Sequence, residues 1–284
     1  MVNLRGKIYG LDLYDDTLRV ATLIAAPGTI SIDSLSEIPF NQLRREFFDS
    51  GAELYFSVPD DEAVVRRLRL PDDLTLDPEK LALFEFAACL PEDSLNYYLE
   101  TYRINGERRH LAVAYHRSLV QRRIEQWENL IARPSGFRLR SLALAEGYRR
   151  FCRRDGGEVI CLINIDSSQT FLVFVNHDAV VSTVALNLQL PDEADSIALK
   201  SALIDIAASV RYQNALIFND GFTAPLSLAV LSGQRANLSL SQELASILRT
   251  NVVLPTILNN LLPENQTVSG CQFLVSLGLT TVSA

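Results

Sequence analysis

A three-strand unit that occurs twice constrains this chain more than any other feature. Residues 159–186 form a buried apolar strand, a tight turn, a second apolar strand, a polar turn and a third, alternating strand. Residues 7–35 repeat the same order, and aligning the two units places Asp12 on Asn164. A unit that is used twice, each time followed by helical segments, predicts a duplicated α/β domain with a cleft between its halves.

A small module interrupts the first half. The sequence predicts a helix that begins at Asp77-Pro78, two strands joined by an Asn105-Gly106 turn, an amphipathic helix and a further strand. We expect this α+β subdomain to occupy about residues 71–142. The first lobe then covers residues 1–158 and the second lobe residues 159–284.

The second half is shorter than the first. Only residues 187–191 separate its third strand from a long helix predicted over residues 192–212, so we expect a shortened second lobe. The pattern then predicts a strand over residues 215–218 and a helix over residues 224–231, with the last helix over residues 270–279.

Composition and charge limit the function classes. The chain has 284 residues, no apolar run near the ~20 residues that cross a bilayer, and no secretory leader at its start. Four cysteines without CxxC spacing and three histidines without metal-ligand spacing predict free thiols, no metal site and a cytoplasmic location. The cysteines are Cys89, Cys152, Cys161 and Cys271.

Positive charge is concentrated in one segment of an acidic protein. Residues 101–154 contain 13 Arg, no Lys and 4 Glu, a net charge of +9, whereas the whole chain carries −8. Such a block predicts either a localised partner, an acidic peptide or a membrane surface, or pairing with the acidic lobe of the same chain. We expect no nucleic-acid partner, because no nucleic-acid-binding motif accompanies the charge.

Five short motifs occur along nearly the whole chain in a characteristic order. They are Gly10-Leu11-Asp12, Ser57-Val58-Pro59, Leu90-Pro91, LAVA at residues 111–114 and FLVSLGL at residues 273–279. Their order and spacing resemble the PilM and FtsA branch of the actin-like ATPase superfamily. This resemblance implies an α/β, duplicated actin-like (ribonuclease H-like) bilobed fold with an inserted subdomain in the first lobe.

The phosphate-binding turns implied by this resemblance are altered. A phosphate clamp needs glycine and small hydroxyl residues in its turns, and an aspartate before each turn to hold Mg²⁺. The first turn keeps Asp12, but Tyr14 stands in the glycine position and Asp15 and Asp16 stand where phosphate would lie. Two carboxylates about 5 Å from a triphosphate oppose its binding by roughly 1–3 kcal/mol each.

The second turn departs from the pattern in the same way. Asn164 stands in the aspartate position and Asp166 in the glycine position. The small hydroxyl residues Ser167, Ser168 and Thr170 remain, as does one glycine of the adenosine-side turn, Gly221. We therefore expect a degenerate nucleotide cleft that binds no cofactor. Residual binding of ATP and Mg²⁺ is the less favoured alternative. The alternative of a metal cluster formed by the four aspartates is less favoured than solvated turn carboxylates.

Partner binding is predicted at the inserted module. The resemblance implies a groove there for the cytoplasmic tail of an inner-membrane pilus or secretion protein that is PilN-like. The residues suited to this role are Leu83, Phe84, Phe86, Arg108, Arg109, Arg122 and Arg123. Phe84 and Phe86 lie two apart on a helix and face different ways, so at least one of them is expected to be a core residue.

The function predicted from the sequence is a non-catalytic cytoplasmic scaffold of a type IV pilus or related secretion platform, associated with the inner membrane only through its partner. One alternative is an active actin-like ATPase or sugar-kinase-like enzyme, which needs the glycines and Mg²⁺ ligands that the turns lack. Another is the actin-like cytoplasmic domain of a type II secretion platform. Homo-oligomer formation stays open.

Overall fold

Two five-stranded sheets of the same topology form the frame of the chain. The computed structural model describes residues 6–26, 29–70, 77–104, 109–152, 159–192, 194–219, 226–258, 261 and 270–281. The first sheet, in the order β3-β2-β1-β4-β8, contains β1 (Gly6–Tyr14), β2 (Thr17–Ala26), β3 (Thr29–Pro39), β4 (Glu53–Val58) and β8 (Gly136–Leu139). The second, in the order β11-β10-β9-β12-β13, contains β9 (Val159–Ile165), β10 (Thr170–Asn176), β11 (Ala179–Leu186), β12 (Leu226–Ser232) and β13 (Val252–Val253).

The strand directions repeat as well. In each sheet the first three strands are antiparallel, and the last two run parallel to the first strand. Every residue of β9 is buried, because helices cover both faces of a strand in the middle of a sheet. The duplicated, bilobed α/β fold expected from the repeated unit is therefore confirmed.

Six helices accompany the sheets in the described part of the chain. They are α1 (Pro78–Ala87), α2 (Arg117–Leu130), α3 (Arg140–Phe151), α4 (Ser196–Asn219), α5 (Leu238–Leu248) and α6 (Leu274–Leu279). Asp77 caps α1, accepting a hydrogen bond from the Glu79 amide at 3.0 Å, and Pro78 opens the first turn, as the sequence predicts.

Helices α3 and α6 lie between the two sheets and join the lobes. α3 ends the first half but packs on β10, whereas α6 ends the second half but packs on β1 and β4. The two helices touch at Gly147 and Gly278, where a Cβ would come within 1.9 Å of the Leu274 carbonyl oxygen and 1.7 Å of the Ala143 carbonyl oxygen. Glycine is required at this crossing because the backbones are in direct contact.

The inserted subdomain has different limits from those expected. Its three-stranded sheet, in the order β5-β7-β6, contains β5 (Ala63–Arg69), β6 (Tyr97–Ile104) and β7 (Arg109–His116). β5 lies before the expected start at residue 71, and β8 lies inside the expected range but pairs with β4 of the first lobe. Periodicity identifies strands without identifying their sheet, which explains both differences.

Two elements of the second half differ from the sequence interpretation. Residues 215–218, predicted as a strand, are the last part of the helix α4. β12 occupies residues that were predicted as a helix over 224–231. The Ala- and Leu-rich stretch forms a strand because the position between β9 and β13 is buried on both sides. α4 follows β11 after residues 187–195, so the short connection of the second lobe is confirmed.

Candidate functional site

The two hairpins face each other across a cleft whose charged groups are buried. Asp12 near the end of β1 and Asn164 near the end of β9 are both inaccessible to solvent. Asp12 accepts a hydrogen bond from the Ser57 hydroxyl at 2.6 Å, and Asn164 accepts one from the Ser232 hydroxyl at 3.1 Å. Each polar group is held by a serine on the parallel neighbour of its own strand, β4 or β12.

Arg140, the first residue of α3, connects the hairpins. Its Nε donates to Asp12 Oδ1 at 3.0 Å and its Nη1 donates to Gln169 Oε1 at 3.0 Å, in the turn of the second lobe. Burial alone would lower the pKa of Arg140, but the carboxylates of Asp12, Asp166 and Asp60 outweigh it and raise that pKa. The side chain therefore stays cationic and neutralises the acidic groups around it.

Arg19 on β2 forms a second link between the lobes. Its Nη1 donates to Asp166 Oδ1 at 3.0 Å, and its Nε donates to Glu37 Oε1 at 3.1 Å. Burial would lower the pKa of Arg19, and Asp166 and Asp12 together raise it above its ordinary value. Asp166 also accepts the Asn164 side-chain amide at 2.7 Å, so its charge is fully engaged within the chain.

Tyr14 fills the space between the turns. Its hydroxyl oxygen accepts hydrogen bonds from the backbone amides of Ser167 and, at 3.2 Å, Ser168. The guanidinium carbon of Arg19 lies 4.6 Å from the centre of the Tyr14 ring, a cation–π contact. Tyr14 is 4% exposed, and burial raises the pKa of its hydroxyl, which therefore remains protonated.

Asp60 binds the first turn of α3, next to Arg140. Its Oδ2 accepts the Ser141 backbone amide at 3.2 Å, in the first turn of α3, where amides lack partners inside the helix. Burial raises the pKa of Asp60 to about 6, although Ser141 and Arg140 act in the opposite direction. By binding the Ser141 amide, this carboxyl group helps to position the neighbouring Arg140. It is only partly ionised at slightly acidic pH.

A cavity of about 350 Å³ lies where the inserted subdomain meets both lobes. Three consecutive residues of β6 line it. Because consecutive side chains of a strand point to opposite faces, a cavity that contacts all three must lie along the edge of the strand. Within the described residues β6 pairs with β7 alone. The lining residues include Thr101, Tyr102, Arg103, Arg138, Glu146 and Asp178.

A larger hollow of about 450 Å³ lies on the opposite face of the first sheet, away from the cleft. Lys7 at its rim pairs with Asp33 at 3.4 Å and with Asp49 at 3.1 Å. Glu37 also lines this hollow and accepts a hydrogen bond from Arg19 at 3.1 Å.

The residues predicted to contact a partner are not equivalent in the structure. Phe86 is fully buried between α1 and the small sheet, whereas Phe84 is 72% exposed and Leu83 is half-buried. Arg123 is engaged by Glu62 in two hydrogen bonds of 2.5 and 2.8 Å. Arg122 is exposed, Arg109 is half-buried, and Arg108 lies outside the described residues.

Comparisons with known proteins identify the fold. No family model and no curated protein matches the sequence. Among solved structures, the PilM–PilN type IV pilus biogenesis complex is similar over 98% of both chains, at 14% identity and a TM-score of 0.70. A Bacteroides thetaiotaomicron protein of unknown function with an actin-like ATPase fold matches 91% of this chain and 93% of its own, at 11% identity and a TM-score of 0.50. This chain has the actin-like ATPase fold.

A secretion protein shares this actin-like fold. The cytoplasmic domain of EpsL, an inner-membrane component of the Vibrio cholerae type II secretion system, is similar over 98% of this chain and 96% of its own. The identity is 9% and the TM-score is 0.54. Among the described residues no helix has the length and hydropathy that a membrane span requires.

The actin-like cleft brings some of the predicted site residues together and not others. Asp12, Tyr14, Asn164 and Asp166 lie in one buried network. Asp15, Asp16, Ser167 and Ser168 are exposed at the turns, Thr170 is buried, and Gly221 lies outside the described residues. No group of three or more His, Cys, Asp or Glu side chains in the described ranges is arranged to hold a metal ion.

Sequence reasoning missed both arginines of the actin-like cleft. Arg19 could have been found, because a two-residue turn at Asp15-Asp16 places it directly opposite Asp12 in the hairpin. Arg140 carries no such local signal, since it reaches Asp12 across 128 residues of sequence. Gln234, whose backbone amide donates to Asp166 Oδ1 at 2.9 Å, is equally remote.

Proposed function

We propose that this chain is a non-catalytic scaffold of a type IV pilus or related secretion assembly platform. It acts in the cytoplasm and binds, through its inserted subdomain, the cytoplasmic peptide of a PilN-like inner-membrane partner. The similarity to PilM over 98% of both chains supports the assembly role, and the similarity to the EpsL domain supports a related secretion platform.

The internal neutralisation of the cleft is the observation that carries the non-catalytic part of the proposal. An ATPase of this kind needs free carboxylates for Mg²⁺ and free amides for phosphate. Here Arg140 and Arg19 hold Asp12 and Asp166, and Tyr14 occupies two turn amides. A triphosphate would have to displace buried ion pairs, whose separation costs about 3–5 kcal/mol for each charge left unpaired. We therefore propose that the protein works without a nucleotide cofactor.

The edge of β6 suits an extended peptide. Strand addition supplies backbone hydrogen bonds, and a neighbouring cavity accepts alternate side chains of the added strand. Arg103 and Arg138 line the cavity together with Glu146 and Asp178, and the arginines would align acidic positions of a peptide. The exposed Phe84 and Arg122 remain candidate contacts on the neighbouring helices.

Calorimetry with a synthetic peptide tests the docking site. The peptide is the N-terminal cytoplasmic segment of the PilN-like protein encoded in the same genome. Arg103→Glu should weaken binding about tenfold, because it reverses a charge at the cavity. Arg133→Glu reverses an exposed arginine that does not line the cavity and should leave binding unchanged. Equal losses for both variants would show that the docking site is elsewhere.

A second titration tests the non-catalytic part separately. Mg-ATP should produce no binding heat at millimolar concentration and no phosphate release above buffer. Micromolar affinity for Mg-ATP, or steady hydrolysis, would favour the active ATPase instead. Because the peptide titration contains no nucleotide, its result is independent of this one.

A further inference from the structure

Two successive backbone amides converge on a single oxygen in the cleft. The amides belong to Ser167 and Ser168, in the turn after β9, and the oxygen is the Tyr14 hydroxyl from the opposite lobe. Consecutive amides that point to one position form a concave nest, and such nests bind anionic oxygen. The neutral tyrosine hydroxyl thus occupies a position that suits an oxyanion.

A buried cation over the Tyr14 ring is the second observation. Arg19 is 1% exposed and lies over the Tyr14 ring. Its Nη1 and Nε are used by Asp166 and Glu37, but its Nη2 is buried and makes no hydrogen bond. A buried donor without a partner costs free energy, so an anion that reached Arg19 Nη2 would gain a hydrogen bond that the present structure leaves unmade.

We propose that Tyr14 acts as a built-in ligand of the cleft: its hydroxyl replaces the oxygen of a small tetrahedral oxyanion and holds the two lobes closed. The tyrosine belongs to β1 and the nest to the second lobe, so the contact closes the cleft as a bound anion would. This inference extends beyond the scaffold role, because it explains how the cleft stays closed without a ligand. It does not depend on where a partner docks.

Tyr14→Ala tests the proposal with inorganic phosphate as the probe. Removing the side chain uncovers the nest and Arg19 together. Phosphate at about ten times its dissociation constant should then raise the Tm of the variant by about 2–4 °C, and should leave the wild type unchanged. Sodium chloride at matched ionic strength is the control. Equal stabilisation of wild type and variant by phosphate, or of the variant by both salts, would overturn the proposal.

Tyr14→Phe provides a second test that does not depend on the space opened by Tyr14→Ala. It keeps the ring and the contact with Arg19 but removes the oxygen, so amide hydrogen exchange in residues 166–169 should accelerate at least tenfold. Tyr9→Phe is the matched control, because Tyr9 lies on the same strand, is equally buried, and donates its hydroxyl to Asp49 at 3.2 Å, away from the nest. Unchanged exchange in Tyr14→Phe, or the same acceleration in Tyr9→Phe, would contradict the assignment.

Discussion

Individual side chains of the cleft show how an acidic site is kept neutral. Asp12 and Asp166 each face an arginine, and each arginine comes from a part of the chain that local sequence patterns do not connect with it. The sequence could predict that the aspartates lie at the ends of corresponding strands. It could not predict Arg140, because helix position and side-chain direction together bring its guanidinium to Asp12.

Asp60 should make stability depend on pH. Its folded-state pKa is about 6, against 3.8 for an ordinary aspartate, because it is buried. The folded protein holds this proton more tightly than the unfolded chain, so the free energy of unfolding should fall by up to about 3 kcal/mol as pH rises from 4 to 6, and stay constant above.

Asp60→Asn tests that dependence by urea unfolding between pH 4 and pH 7. The variant keeps an oxygen for the Ser141 amide but cannot ionise, so its stability relative to wild type should rise with pH across the window. Asp61→Asn, at the exposed neighbouring position, should keep most of the wild-type dependence. Parallel curves for Asp60→Asn and wild type would show that folding does not raise the pKa of Asp60.

Secondary-structure elements were predictable where periodicity and turn residues agreed. The hairpins of both lobes satisfy both signals, and they were predicted correctly. The apolar run of residues 215–218 is followed by Asn-Asp-Gly, which can end a strand or a helix, so a strand was predicted where α4 continues. Residues 226–232 form the strand β12 because of their neighbours in the sheet, and sequence periodicity carries no information about those neighbours.

The contact between β1 and α6 should be intolerant of added atoms. A Cβ on Gly10 would come within 1.8 Å of the Ser276 carbonyl oxygen, so Gly10→Ala should lower the free energy of unfolding by more than 3 kcal/mol or prevent folding. A Cβ on Gly6, in the same strand, meets nothing within 4 Å, and Gly6→Ala should stabilise by about 0.5 kcal/mol. Urea denaturation of the two variants measures both, and equal stabilities would disprove the close contact.

At the scale of the whole molecule, part of the arginine block is paired within the chain. Six of its described arginines have partners: Arg117, Arg123, Arg138, Arg140, Arg149 and Arg150. The carboxylate partners are Asp12, Glu62 and Glu146, so these ion pairs form within the first lobe. Arg103, Arg122 and Arg133 remain exposed for other contacts.

A double-mutant cycle should reveal how strongly Arg140 and Asp12 interact in the cleft. Arg140→Gln leaves Asp12 buried without its cation and should cost about 3–5 kcal/mol of unfolding free energy. Adding Asp12→Asn removes the uncompensated charge, so the double variant should be more stable than the sum of the single changes by about 1–3 kcal/mol. Additive losses, measured by denaturant unfolding, would mean that the pair does not interact.

Helix α6 comes from the second half of the sequence but packs on the first sheet, which has a consequence for synthesis on the ribosome. The first sheet receives part of its cover from residues 274–279, whereas its own strands end at residue 139. During translation the first lobe must therefore wait, with one face of β1 and β4 open to chaperones, until nearly all of the second lobe has been made. N-terminal domains of most proteins fold while later ones are still being synthesised. Here a helix that emerges after most of the second lobe completes the first lobe.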